Sequence, residues 1–139
     1  MICNFLYSIL AGIIASLIVL LWEYNRKEIP FKRKFNYLEG KYNHIVDGVK
    51  KNDCETIIKY FRGGVLNVET STSSRKWKAT ILMNKDMGNY GAGSFSYICE
   101  DESGFMQLLI KDEKNIHVFP MTLTYPIQKT DFYILQRKN

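Results

Sequence analysis

Two hydrophobic rhythms divide this chain. From Cys3 to Trp22 apolar residues follow one another with no charged side chain among them, whereas beyond Tyr37 apolar and polar residues trade places in short runs. About 20 apolar residues at 1.5 Å per residue cover the roughly 30 Å hydrocarbon core of a bilayer, so the first rhythm predicts a transmembrane helix. The second, rich in Tyr, Phe, Val, Ile and Thr and punctuated by Gly, Asn, Asp and Ser, predicts β-strands.

Eight strands are expected, near Leu38–Val46, Thr56–Phe61, Val65–Thr70, Lys76–Met83, Gly91–Cys99, Phe105–Lys111, Ile116–Thr122 and Phe132–Arg137. Polar loops of hairpin length join several of them, and Gly63-Gly64 reads as a turn or bulge. The second strand has a competing assignment, because Asp53-Cys54-Glu55-Thr56 also suits the cap of a short helix. Consecutive antiparallel hairpins make a meander, and closing eight strands removes both edges. The expected fold is therefore mainly β: an antiparallel eight-stranded, lipocalin-like barrel preceded by one membrane helix.

Alternation assigns some faces. Trp77, Ala79, Ile81 and Met83 point to one side of their strand, as do Phe95, Tyr97 and Cys99, and Met106, Leu108 and Ile110; these are the expected inward sets. In the first strand Gly40, Tyr42 and His44 share one side and Lys41, Asn43 and Ile45 the other. Residues 1–27 thus form the span with its basic flank, 28–36 a short juxtamembrane connector containing Pro30, and 37–139 a barrel domain.

A cleaved signal peptide fits the first segment poorly: Met1–Asn4 carry no Lys or Arg, and the apolar run exceeds the usual 7–15 residues. A lipidated Cys3 would need a leader before it. A buried core helix is rarely apolar on every side in so small a domain. After the span come Arg26, Lys27, Lys32, Arg33 and Lys34 against Glu23 and Glu28, so the positive-inside rule places the C-terminal domain in the cytoplasm. Trp22 and Tyr24 stand where an interfacial aromatic anchor belongs. Ser8, Gly12 and Ser16 recur every four residues with Ala11 and Ala15 beside them, a flat face on which a second helix can pack. Such residues are also common in membrane helices that pack on nothing.

Charge refines the picture. The 139 residues carry a formal +5, from 19 Lys and Arg against 14 Asp and Glu, and part of it lies beside the span, where anionic headgroups attract it. Membrane lipid is the partner this implies, and a nucleic-acid polymer does not follow from it. The three cysteines have no metal-ligand or redox spacing. No cofactor motif is present: Gly91-Ala92-Gly93-Ser94 lacks the Gly-Lys-Ser/Thr ending of a phosphate loop, there is no Gly-x-Ser-x-Gly elbow, and His44 and His117 have no carboxylate or cysteine at ligand spacing. A binding or structural module is expected rather than an enzyme.

Aromatic faces for bases and cations for phosphates are what a nucleotide-like ligand needs. Tyr42, Trp77, Phe95 and Tyr97 supply the first, Arg62, Arg75 and Lys78 near strand ends the second, and Asn67, Thr80 and Thr122 neutral hydrogen bonds. The same residues also describe a well-packed barrel with basic edges, or one that binds a lipid or serves as an assembly subunit.

The order of segments adds a resemblance. A membrane anchor and basic flank, then Leu38-Glu39-Gly40-Lys41-Tyr42, Gly63-Gly64-Val65-Leu66-Asn67-Val68, Trp77-Lys78-Ala79-Thr80-Ile81 and Gly91-Ala92-Gly93-Ser94-Phe95-Ser96-Tyr97, resemble the transmembrane β-barrel effectors of bacterial cyclic-oligonucleotide anti-phage (CBASS) systems. The resemblance implies that the barrel binds a cyclic dinucleotide, that the protein then self-associates, and that its membrane segment disrupts the bacterial inner membrane. Effectors of that kind typically carry two membrane helices; this chain has one such run.

Overall fold

The computed structural model describes residues 2–123 and 132–139, with side chains from residue 5 onward. Helix α1 (Ile2–Phe35) is followed by a 3-10 turn, Asn36–Leu38, and by strands β1 (Gly40–Val46), β2 (Val49–Tyr60), β3 (Val65–Ser71), β4 (Lys76–Met83), β5 (Tyr90–Tyr97), β6 (Ser103–Ile110), β7 (Asn115–Thr122) and β8 (Tyr133–Arg137). Each strand pairs antiparallel with the next and β8 returns to β1, closing the barrel. The fold is mainly β with one N-terminal helix long and apolar enough to cross a membrane among the described residues.

The connector expected over 28–36 is instead helical through Phe35, straight across Pro30. Proline inside a helix costs about 3 kcal/mol, because it removes a backbone donor and crowds the preceding turn. Phe31, Phe35 and Leu38, spaced four and three apart, fall on one face, and that face closes the base of the barrel. Phe35 and Leu38 are fully buried there and Phe31 packs against Gly64. Burying two such side chains is worth about 1.5–3 kcal/mol each, enough to offset the proline. Glu28 adds a polar lock: its carboxylate accepts hydrogen bonds from the Tyr60 hydroxyl and, at 2.7 Å, from the Gly63 amide. Helix and barrel base are thus one packed unit.

The expected alternation sorts the interior. Trp77, Ala79, Ile81 and Met83 point in, as do Phe95, Met106, Leu108 and Ile110; Tyr97 is half-buried, while Cys99 lies beyond β5, exposed, with φ 69°. In β1 the inward side is Tyr42 and His44.

The second strand departs most from expectation. It begins at Val49 rather than near Thr56, and no helix forms at Asp53. Asp47 and Gly48, with φ 51° and 75°, make the tight turn that joins β1 to β2. The β1–β2 register jumps between Asn43↔Glu55 and His44↔Lys51, so residues 52–54 bulge from the ladder. Gly93 lets β4 and β5 approach: a Cβ there would lie 1.8 Å from the Thr80 carbonyl oxygen.

Candidate functional site

The interior changes character along the barrel axis. Next to α1 it holds Phe35, Leu38, Leu66, Ile81, Met83 and Leu108, all apolar. At the opposite pole every strand contributes one level of a mixed aromatic and polar ring: His44 from β1, Thr56 from β2, Thr70 from β3, Trp77 from β4, Phe95 and Tyr97 from β5, Gly104 from β6, Thr122 from β7 and Tyr133 from β8. Strand register assembles most of it, since Thr56↔Thr70, Thr70↔Trp77, Trp77↔Tyr97, Phe95↔Gly104 and Gly104↔Thr122 are directly opposed and share a face.

Gly104 is the narrow point of the ring. A Cβ there would sit 2.7 Å from the Phe95 ring and 2.1 Å from the Met121 carbonyl oxygen. Its bare backbone makes room for Phe95, which meets Trp77 at 6.1 Å (59°) and Tyr97 edge-on at 5.9 Å (79°).

The polar half of the ring is a chain of hydrogen bonds. The His44 imidazole shares a short bond with the Thr56 hydroxyl, which is 2.7 Å from the Thr70 hydroxyl. Burial pulls the His44 pKa down to about 4, so the ring is neutral at pH 7. Tyr133 stacks on it at 4.6 Å and 15°. The Tyr133 hydroxyl is sealed from solvent and has no hydrogen-bond partner among the described residues. Burial drives its pKa well up, with the neighbouring Cys54 and Tyr97 adding to the effect. Leaving such a group unpaired costs about 1–3 kcal/mol.

Arg75 crosses the lip. Its guanidinium lies 5.3 Å over the Tyr97 ring and is held by Glu100 at 3.4 Å and Glu102 at 3.6 Å. These pairs are solvent-exposed and weak, of order 0–1 kcal/mol. Burial raises the Tyr97 phenol pKa, reinforced by Glu102 and opposed by Arg75.

Of the ligand candidates read from the sequence, Trp77, Phe95, Tyr97 and Thr122 meet in this ring and Arg75 stands at its edge. Tyr42 points inward but deeper, its hydroxyl donating to the Leu38 carbonyl at 2.8 Å. Arg62, Asn67 and Thr80 are on the outer surface, along a groove of about 680 Å³ shared with Tyr24 and Phe61 beside α1. Lys78 also faces outward, 3.2 Å from Glu69. His44, Thr56, Thr70 and Tyr133 belong to the ring although the sequence did not single them out as a site. Parity offered the signal: His44 follows Tyr42 by two, Thr70 follows Val68, and Tyr133 precedes Leu135.

Along α1, Ser8, Ala11, Gly12, Ala15 and Ser16 are exposed, and nothing lies within 4 Å of a Cβ placed on Gly12. The Ser16 hydroxyl donates to the Gly12 carbonyl at 2.9 Å, so it is spent within its own helix.

The ring combines aromatic faces with neutral hydrogen-bonding groups at one level of the barrel. No group of three or more His, Cys, Asp and Glu among the described residues is arranged for a metal. Cys54, which neighbours Tyr133, is pushed up to about 11 by burial and Asp53, which leaves it a poor nucleophile. Compared with protein-family models, with curated proteins and with solved structures, the chain gives no match.

Proposed function

We propose that this protein is a membrane-anchored ligand sensor whose barrel takes a cyclic dinucleotide at the pole remote from α1. Binding favours self-association through the Ser8, Gly12 and Ser16 face, and the gathered helices disrupt the inner membrane from which the barrel projects into the cytoplasm. This is the behaviour of the anti-phage barrel effectors that the sequence resembles. The observation that carries the reading is the sealed Tyr133 hydroxyl, without a hydrogen-bond partner among the described residues, inside a ring of aromatic faces and neutral hydrogen-bonding groups, with the Arg75 guanidinium at the rim. A base stacks and bonds within such a ring, and a phosphate finds the guanidinium. A purely apolar guest would gain nothing from His44, Thr56, Thr70 and Tyr133.

The coupling is a linkage argument. A ligand shifts an equilibrium only by its differential affinity for the two states, and a few kcal/mol turns a minor oligomer into the major one. Span helices brought together at high local concentration then pack on their small residues.

The test is calorimetry of the full chain in detergent against a panel of purine and pyrimidine cyclic dinucleotides. Trp77 fluorescence in a Trp22→Phe background provides a second readout, because these are the two tryptophans. One member of the panel should bind, and Arg75→Gln should weaken it about tenfold while leaving the barrel folded. Silence across the panel in both readouts refutes the assignment.

A further inference from the structure

Among the clefts beside α1 where it meets the barrel base, two differ in charge. One, about 380 Å³, has Lys32 facing Glu28 and Glu39, and its Glu28 is already committed to Tyr60 and Gly63. The other, about 330 Å³, brings Arg26, Lys27 and Lys85 against the single carboxylate of Glu23, with Trp22 and Phe31 as apolar walls. None of those three cations forms a salt bridge among the described residues. Two of them rest on rings: Arg26 lies 5.3 Å over Trp22, and the Lys85 ammonium 5.5 Å over Phe31.

Lys85 comes from the barrel, not from the helix. Its loop between β4 and β5 is tied to α1 by the Lys34 ammonium, which donates to the Lys85 carbonyl at 2.5 Å. A cation 58 residues further along the chain than Lys27 is thereby fixed beside the helix over Phe31, in the cleft that Trp22, the residue that ends the uncharged run, also lines. If α1 spans a bilayer, the cleft starts where the uncharged run ends, and lipid phosphates lie just beyond that point.

We propose that this cleft binds the headgroup of one anionic phospholipid, its phosphate between Arg26, Lys27 and Lys85 and an acyl chain descending past Trp22 along α1. The apolar wall continues into the span, which a soluble phosphate could not use. Such a lipid bridges helix and barrel and seats the barrel against the leaflet. The proposal rests on α1 as a membrane span and is independent of the cyclic dinucleotide.

Native mass spectrometry of the full chain released from detergent, titrated with phosphatidylglycerol or phosphatidylcholine, tests it. Phosphatidylglycerol should bind at least tenfold more tightly. The double variant Arg26→Gln/Lys85→Gln should lose that preference, while Lys32→Gln, on the other side of the helix, should keep it. Equal affinity for the two lipids, a preference that survives the double variant, or glycerol phosphate binding as tightly as the lipid would each overturn the site. Alkaline carbonate extraction of membranes separates the two levels. A chain that resists extraction but shows no preference loses only this cleft, whereas one that is extracted loses the span and the cleft with it.

Discussion

Tyr133→Phe should move stability and ligand affinity in opposite directions. In the free protein the Tyr133 oxygen is sealed and lacks a partner among the described residues, so none of them returns what folding takes when it strips that oxygen of water. Deleting the oxygen while keeping the ring preserves the 4.6 Å stack on His44 and removes a desolvation cost of about 1–3 kcal/mol. For a domain of roughly 100 residues each kcal/mol shifts Tm by about 4–8 °C, so the variant should melt several degrees higher. If the hydroxyl exists to bond a guest, the same change should weaken cyclic dinucleotide binding about tenfold, close to 1.4 kcal/mol. Thermal melts by Trp77 fluorescence and calorimetric titration of one preparation read both quantities. A lowered Tm would mean that the hydroxyl is satisfied in the free barrel. Unchanged affinity in a variant that melts higher would remove Tyr133 from the ligand's contacts.

Three further outcomes follow from particular contacts. His44 titrates near 6.5 when unfolded and near about 4 when folded, so below pH 6.5 the unfolded chain holds a proton that the barrel refuses. Stability present above pH 6.5 should decline toward pH 4 by up to about 3 kcal/mol, and urea midpoints of His44→Gln should lack that component; identical pH slopes in the two proteins would contradict it. Glu28→Ala should cut the hydrogen-exchange protection of the Gly63 amide at least tenfold while Trp77 reports a barrel that still melts cooperatively, and full protection would show that the lock is redundant. Gly12→Ile should weaken self-association in detergent by sedimentation and reduce toxicity on activation, with barrel Tm unaltered because nothing surrounds Gly12; undiminished association would exonerate the small-residue face.

The barrel was legible because its signals are local. Strand alternation in Trp77–Met83 and Met106–Ile110 needs no distant contact to be read, and the observed faces agree. Two elements were hidden by competing rules. Asp47-Gly48 is a strong hairpin turn, but the strand after it opens with Lys50, Lys51, Asn52 and Asp53, whose polarity reads as a loop; it is held by pairing with β1 and bulges where it leaves the core. Pro30 argued for a helix end, and only the burial of Phe35 and Leu38 in a barrel formed later in the chain makes helix the better answer. The site divides similarly. Aromatic members announce themselves, whereas Thr56 and Thr70 acquire meaning when the register sets them opposite one another and Tyr133 when it stacks on His44; Arg62, Asn67 and Thr80 lie on the outer surface, because side-chain type says nothing of which face a strand presents.

An α1 that runs unbroken into the barrel base fixes azimuth as well as height. Phe31, Phe35 and Glu28 prevent the barrel from swivelling on its stalk, so the bearing of the Gly12 face is set relative to the barrel wall. From Gly12 to Phe35 an ideal helix turns through 23 steps of about 100°, leaving the two roughly 140° apart about the axis. If barrels associate and α1 spans a bilayer as proposed, the barrels would choose which helix faces can meet, and a small rotation of one barrel against another would be delivered to the bilayer. In the proposed membrane-anchored state the stalk would work as a key whose bit is cut in the membrane and whose bow is turned in the aqueous phase.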